Sequence, residues 1–206
     1  MNTGTLYIIS APSGAGKTSL VKQLAATLDN LIVSISHTTR QARPGETEAQ
    51  DYYFVSLPEF EAMLQKQAFL EHAQVFDNFY GTAQQTVEDN LAQGLDVILE
   101  IDWQGAQQIR TIFPDSVSIF ILPPSTDVLR QRLNNRAQDD EQTIARRMRD
   151  AVTEMQHHAE FDYLIVNEVF DQALLELKSI LITHRLTLQK QRCRLKVMLT
   201  SLLSGS

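Results

Sequence analysis

The chain has 206 residues with 18 basic and 25 acidic side chains, a net charge of −7 and 43% hydrophobic residues. This composition is typical of one globular unit or a core with inserted lobes, and the negative charge argues against nucleic acid as a partner. The single cysteine, Cys193, excludes an internal disulfide and suits a reducing compartment. Because neither a secretory leader nor a membrane-length apolar run is visible, we expect a cytoplasmic protein that does not contact membranes.

The first strand–loop–helix unit carries a phosphate-binding motif. The apolar run 5–9 predicts a buried strand, and residues 19–26 place apolar side chains at helical spacing. The loop between them, which we call the phosphate loop, matches G-x-x-x-x-G-K-[ST] except that alanine replaces the first glycine. Its members are Ala11, Pro12, Ser13, Gly14, Ala15, Gly16, Lys17 and Thr18. In this motif backbone N–H groups and the helix start bind phosphates, the lysine reaches the β- and γ-phosphates, and the last hydroxyl is offered to Mg²⁺.

Residues 38–82 are predicted to form a small β-rich lobe with one helix, inserted between elements of a parallel sheet. The runs 31–36, 51–55 and 69–76 predict strands, 78–82 predicts a turn and a short extended piece, and Ser56 is placed to cap the helix. Arg40 and Arg43 are close enough to bind one anion, because their planar side chains bind phosphate oxygens in pairs. Taken alone, they are equally consistent with solvated surface arginines.

After the lobe the alternation of helices and strands resumes. The strand predicted at 96–102 ends in Glu100 and Asp102, where a phosphate-loop protein is expected to hold a partner of Mg²⁺. Two arginine-bearing helices joined by a polar turn within 125–155 predict a lid that supplies positive charge and excludes water. A strand at 163–167 precedes a helical pattern over 171–203, which either breaks or packs against another subunit.

These parts together predict a reaction class. A phosphate loop holds a nucleoside triphosphate, an inserted lobe with arginines and tyrosines holds a second phosphate-bearing molecule, and the lid closes over both. This arrangement suits phosphoryl transfer, in which catalysis is mainly positioning and charge neutralisation. A side-chain nucleophile is not needed, because the acceptor is itself a phosphate oxygen.

Several motifs together resemble the bacterial guanylate kinase family over nearly the whole chain. They are Ala-Pro-Ser-Gly-Ala-Gly-Lys-Thr at 11–18, Ser-His-Thr-Thr-Arg-x-x-Arg-x-Gly-Glu at 36–46, Tyr52, Asn-Phe-Tyr-Gly-Thr at 78–82, Ile-Asp-Trp-Gln-Gly at 101–105 and Ile-Val-Asn at 165–167. The resemblance implies an α/β phosphate-loop NTPase fold in three layers around a parallel sheet. It implies a core (1–37, 83–124 and 156–206), a GMP-binding lobe (38–82) and a lid (125–155), with the family unit at about 3–184. The implied reaction is Mg²⁺-dependent transfer from ATP to GMP, in purine nucleotide metabolism.

The resemblance also implies roles for individual residues. For GMP these are phosphate contacts from Arg40, Arg43, Tyr52 and Tyr80, guanine contacts from Ser36, Glu71 and Thr82, and further contacts from Glu100 and Asp102. For ATP they are the phosphate loop, Arg132, Arg136 and Asn167, and the catalytic set is Lys17, Arg40, Arg136 and Arg147. Mg²⁺ is implied at Thr18, with Glu100 or Asp102 directly or through water. Physical chemistry supports Glu71, because a carboxylate can accept both adjacent guanine donors, N1–H and N2–H₂, which adenine lacks.

The sequence departs from the family pattern at a few positions and leaves two alternatives open. Glu100 stands where many members have aspartate, Ala137 replaces a glycine after a lid arginine, and Thr82 stands where some members have serine. One alternative is a related kinase of a ribose bisphosphate, which would not need Glu71 and Thr82 arranged for guanine. The other is a non-catalytic interaction module, which typically lacks a working phosphate loop. The final helical segment is compatible with a homo-oligomer.

Overall fold

The computed structural model describes residues 3–75, 77–134 and 141–204. The strands are β1 (Leu6–Ser10), β2 (Leu31–Val33), β3 (His37–Thr38), β4 (Tyr53–Phe54), β5 (Phe69–Val75), β6 (Asn78–Ala83), β7 (Asp96–Glu100), β8 (Val117–Leu122) and β9 (Tyr163–Val166). The helices are α1 (Lys17–Ala25), α2 (Leu57–Gln65), α3 (Gln84–Ala92), α4 (Trp103–Ile112), α5 (Thr126–Asn134), α6 (Glu141–Gln156), α7 (Phe170–Arg185), α8 (Leu188–Arg194) and α9 (Lys196–Ser204).

A parallel five-stranded sheet in the order β2-β7-β1-β8-β9 forms the core. Because side chains alternate along a strand, Tyr7 and Ile9 of β1 pack with α1 and α7 on one face, and Leu6 and Ile8 pack with α3 and α4 on the other. Three layers result, which confirms the predicted fold class. The phosphate loop begins at the carboxyl end of β1. Glu100 is the last residue of the neighbouring strand β7 and pairs with Ile9 of β1. This edge of an open α/β sheet is where ligands bind.

A second sheet, in the order β4-β3-β6-β5, forms the lobe. The Ser56 hydroxyl accepts a hydrogen bond from the Glu59 backbone, and the Glu59 carboxylate accepts one from the Ser56 backbone, so this capping box starts α2 as expected. The segment predicted as a turn and a short extended piece is the full strand β6, because β5 and β3 pair with it on either side. The aromatic run 51–55 contributes only the two-residue strand β4, which pairs in parallel with β3.

The helical pattern at the carboxyl end breaks into α7, α8 and α9. Thr187 leaves the helical conformation with ψ 143°, and its hydroxyl donates to the His184 carbonyl at 3.0 Å, which satisfies the end of α7. The Lys190 side chain then reaches the Thr3 carbonyl at 3.0 Å. Helix α9 buries none of its residues, and Val197 and Leu203 are each 85% exposed. No helix among the described residues combines the length and apolarity needed to cross a bilayer.

Candidate active site

The phosphate loop turns sharply between β1 and α1. Gly14 and Gly16 both have φ of +93°, a left-handed conformation in which glycine is the least strained residue. A Cβ atom on Gly16 would lie 2.4 Å from Nδ2 of Asn167, so there is also no room for a side chain at this position. Ala11 precedes the turn and requires no positive φ, which is why alanine is accommodated at the first position of the motif.

The two motif side chains at the start of α1 reach the end of β7. Lys17 Nζ donates to the Ile101 carbonyl at 3.4 Å, and Thr18 Oγ1 donates to Glu100 Oε2 at 3.0 Å. Among the described residues no three metal-binding side chains cluster. A hydroxyl and one carboxylate nevertheless suit Mg²⁺, which keeps several waters and takes phosphate oxygens as ligands. The extra methylene of Glu100 therefore still places an oxygen beside the Thr18 hydroxyl.

Asp102, the other acidic residue predicted for Mg²⁺ or GMP, caps helix α4. Its Oδ1 accepts from the Gly105 backbone N–H at 3.0 Å, and its Oδ2 accepts from the Gln104 side chain at the same distance. Both oxygens are thus engaged within the helix start. The structure brings Glu100, and not Asp102, to Thr18.

Lid and core residues predicted for ATP meet at the phosphate loop. The Ala15 carbonyl accepts hydrogen bonds from Asn167 Nδ2 at 2.7 Å and from Arg132 at 3.3 Å, and Arg132 also donates to the Asn167 carbonyl at 2.9 Å. Arg147 of α6 donates to the Ser13 hydroxyl at 2.6 Å. Arg136, predicted to be catalytic, lies outside the described residues, as does Ala137.

A buried polar cluster lies in the lobe where β5 and β6 pair. Glu71, only 3% exposed, accepts a hydrogen bond from the Thr82 hydroxyl at 2.6 Å, and the Ser36 and Thr82 hydroxyls are 3.4 Å apart. Burial raises the pKa of the Glu71 carboxyl to about 7, the Thr82 hydrogen bond opposes this, and the negative charge of Asp102 adds to it. The three residues predicted to recognise guanine therefore converge, and Glu71 retains acceptor capacity for a ligand.

The residues predicted for the GMP phosphate form a second cluster in the lobe. The Arg40 guanidinium lies 5.3 Å from the centre of the Tyr52 ring, and Tyr80 packs edge-on against Tyr52 at 6.0 Å. Burial raises the pKa of the Tyr52 hydroxyl to about 12, so it is a neutral donor at physiological pH. Arg43 lies beside this cluster and lines the central cleft.

Glu46 is a site residue to which the sequence analysis gave no role. It accepts from the Arg40 guanidinium at 2.9 Å and from the Arg43 backbone N–H at 2.8 Å, so one carboxylate organises both arginine positions. The sequence did point to this residue, because Glu46 is the last residue of the motif that contains both arginines. Its role depended on the fold of the turn at Gly45, which spacing alone does not specify.

A cleft of about 710 Å³ connects the three regions. Its walls include Thr18 and Glu100 from the core, Ser36, Arg43 and Tyr52 from the lobe side, and Arg147 from the lid. Lys22 of α1 and Asp51 also line the cleft and form an ion pair at 2.6 Å. The volume is suited to a small organic ligand, and a phosphate-binding loop and a buried carboxylate lie in its surroundings.

Comparison with known proteins agrees with this geometry. The family model for guanylate kinase matches residues 3–184. The guanylate kinases of Saccharophagus degradans and Methylococcus capsulatus are each 59% identical, covering 98% of this chain and 98% and 100% of those proteins, and that of Escherichia coli K12 is 54% identical over 99% of this chain and all of that protein. The crystal structure of guanylate kinase from Anaplasma phagocytophilum is 35% identical with a TM-score of 0.77, covering 91% of this chain and 89% of that one. The chain therefore belongs to the guanylate kinase family.

Proposed function

We propose that the protein transfers the γ-phosphoryl group of ATP to GMP, giving ADP and GDP. The observation that carries this proposal is the buried Glu71 carboxylate, held by Thr82 on the lobe side of the site, while the phosphate loop lies on the core side. Family membership supports the same activity. The enzyme is a nucleoside monophosphate kinase, and residues of the lobe determine which base it accepts.

We propose the following roles for the side chains, which their positions support. Glu71 accepts hydrogen bonds from guanine N1–H and N2–H₂, with Ser36 and Thr82 beside it, because an incorrect base would leave these buried groups unpaired. Arg40, Arg43, Tyr52 and Tyr80 hold the GMP phosphate. The phosphate loop holds the ATP phosphates, while Lys17 and the lid arginines neutralise charge on the transferring group.

Mg²⁺ belongs to the proposal as the cofactor that arrives with ATP. Thr18 and Glu100 would hold it, with the rest of its coordination supplied by water and phosphate oxygens. When bound, it neutralises the charge that develops on the phosphates. A cytoplasmic location, where ATP and GMP are available, also remains a prediction.

We further propose that the carboxyl-terminal helices mediate self-association. Leu188 is 72%, Leu202 69% and Leu203 85% exposed, and an apolar surface of this kind is typical of a protein contact. Sedimentation velocity should show an assembly larger than a monomer that Leu203→Asp weakens. A wild-type monomer at micromolar concentration would contradict this proposal.

Two other functions explain the site less well. A ribose bisphosphate kinase has no use for a buried carboxylate placed to accept guanine N–H groups. A non-catalytic interaction module does not require an intact phosphate loop, and here both Lys17 and Thr18 of the motif are present. The site as a whole therefore favours a catalytic role with a guanine nucleotide.

Coupled measurement of ADP release tests the proposal. Wild-type enzyme with ATP and Mg²⁺ should turn over GMP much faster than AMP, dTMP or a ribose bisphosphate. Lys17→Met should lose activity by about two orders of magnitude, because one cationic contact to the transferring phosphoryl group is lost, whereas Lys66→Met, an exposed lysine of the lobe, should not. Absence of turnover with every acceptor would exclude the enzyme function.

A further inference from the structure

Helix α4 of the core contacts the strand of the lobe that carries the Glu71 carboxylate, and the roles proposed above do not use this contact. Strand β5 lies at the edge of the second sheet and pairs with β6 on its inner side. The backbone groups on the outer side of an edge strand have no partners within the sheet, so they need donors and acceptors from elsewhere. In β5 a side chain of α4 supplies them.

Gln108 of α4 holds the outer backbone of β5 through both ends of its side-chain amide. Its Oε1 accepts from the His72 backbone N–H at 3.1 Å, and its Nε2 donates to the His72 carbonyl at 2.7 Å. Because a primary amide offers both an acceptor and donors, this side chain takes the place of a neighbouring strand at His72. His72 directly follows Glu71, so the two hydrogen bonds fix the backbone next to the carboxylate.

The residue before Glu71 is also attached to the core. The Leu70 side chain is buried, and it packs in the core cluster that contains Ala106 and Ile109 of α4. The pairing of β5 with β6 shifts register between Phe69 and Glu71, so the ladder alone does not fix β5 at this point. Contacts with α4 on both sides of Glu71 supply the support that the ladder lacks there.

The Glu71 carboxylate itself lies against α4 at Gly105. A Cβ atom on Gly105 would be 2.5 Å from Oε2 and 3.2 Å from Cδ of Glu71, so no larger residue fits while the carboxylate keeps this position. Gly105 is buried within the helix and does not have a positive φ. The space that the carboxylate occupies therefore requires glycine here, and the backbone conformation does not.

Gly105 and Gln108 are three residues apart on α4 and therefore lie on one face of the helix. We infer that this face positions the Glu71 carboxylate for the guanine N–H donors, with Gln108 as a positioning residue and Gly105 providing the space for the carboxylate. This inference rests on the proposed function, in which Glu71 accepts from guanine. Because hydrogen bonds weaken steeply as their distance and angle change, a small shift of β5 relative to α4 lowers selectivity for guanine without changing the phosphate loop.

Gln108→Met tests the inference, because methionine keeps the length and helix propensity of glutamine but loses both hydrogen bonds to His72. Steady-state kinetics with GMP and with inosine monophosphate, whose base lacks only the N2 amino group, measures selectivity for guanine. The ratio of kcat/KM for GMP to that for inosine monophosphate should fall about fivefold, with KM for GMP raised about tenfold and KM for ATP unchanged. The matched control is Gln107→Met, which removes a bond from the same helix to Glu160 and should leave the ratio unchanged.

Gly105→Ala gives a second test that removes no contact. Alanine is the better helix former, so this variant should fold. Its methyl group would move the Glu71 carboxylate from its position, and the same ratio should again fall about fivefold while KM for ATP stays unchanged. A merely structural role of this face would alter the free energy of unfolding and leave the ratio intact.

An unchanged ratio in either variant, once shown to be folded, would overturn the inference. If Gln108→Met does not fold, Gly105→Ala decides alone. A wild-type ratio close to unity would instead remove the assignment of Glu71 as the guanine acceptor, and the inference with it. Wild-type enzyme that does not turn over GMP would contradict the proposed function itself.

Discussion

The pKa of Glu71 predicts a pH dependence of GMP binding. Guanine N–H donors favour the ionised carboxylate, whereas burial favours the neutral acid and raises the pKa to about 7. The ionised fraction is about one tenth at pH 6 and nearly complete at pH 8. KM for GMP should therefore rise about tenfold between pH 8 and pH 6.

The assay is initial-rate kinetics at saturating ATP from pH 5.5 to pH 8.5, with KM for GMP as the readout. The GMP phosphate also titrates near pH 6, so Glu71→Gln is needed to separate the two effects. In that variant only the phosphate contribution remains, and the difference between the two profiles belongs to Glu71. Superimposable profiles would refute the assignment of Glu71 as the guanine acceptor.

The raised pKa of Glu71 also predicts how the stability of the unliganded enzyme depends on pH. Because the folded-state pKa lies above the usual 4.5, ionisation is disfavoured in the folded state. The destabilisation of the folded state by this ionisation is absent below pH 4.5 and complete above pH 7. The free energy of unfolding of wild type relative to Glu71→Gln should thus fall as pH rises through this window, by about 3 kcal/mol. Urea unfolding at pH 4 and pH 8 measures this difference.

Three further variants test other parts of the site and the fold. Gly16→Ala introduces a side chain at φ +93° and 2.4 Å from Asn167, so KM for ATP should rise by at least about tenfold. Arg40→Lys loses a planar fork for the GMP phosphate, so kcat/KM for GMP should fall by about one to two orders of magnitude. Arg185→Met removes a 2.7 Å ion pair from buried Asp96, so the free energy of unfolding should fall by about 3 kcal/mol with turnover kept.

Each of these variants has a matched control. Gly45→Ala imposes a similar backbone strain, at φ +88°, but has open space around it, so KM for ATP should be unaffected. Arg149→Lys and Arg192→Met replace exposed arginines and should leave kinetics and stability unchanged. A control that behaves like its test variant would show that the named contact is not the cause.

Local signals predicted much of the site. The phosphate loop and the capping box at Ser56 depend on residues adjacent in sequence, so their geometry could be read directly. The convergence of Ser36, Glu71 and Thr82 was implied by the family resemblance, and the structure brings these three together. No spacing rule could have placed them, because β3, β5 and β6 must first pair.

What escaped prediction depends on long-range packing. The expected role of Arg132 in ATP binding stays a prediction, but its hydrogen bonds to the Ala15 and Asn167 carbonyls were not indicated by the sequence. The end of α7 before Thr187 depends on the hydrogen bond from the Thr187 hydroxyl to the His184 carbonyl, and helical periodicity cannot predict such a bond.

The central claim is that the Glu71 carboxylate selects guanine through its paired N–H donors. Comparison of GMP with inosine monophosphate, which lacks only the N2 amino group, tests it most directly. Wild-type kcat/KM should favour GMP by about 10- to 100-fold, the value of one hydrogen bond to a charged group. In Glu71→Gln this ratio should fall close to unity. A ratio that Glu71→Gln leaves unchanged would contradict the account.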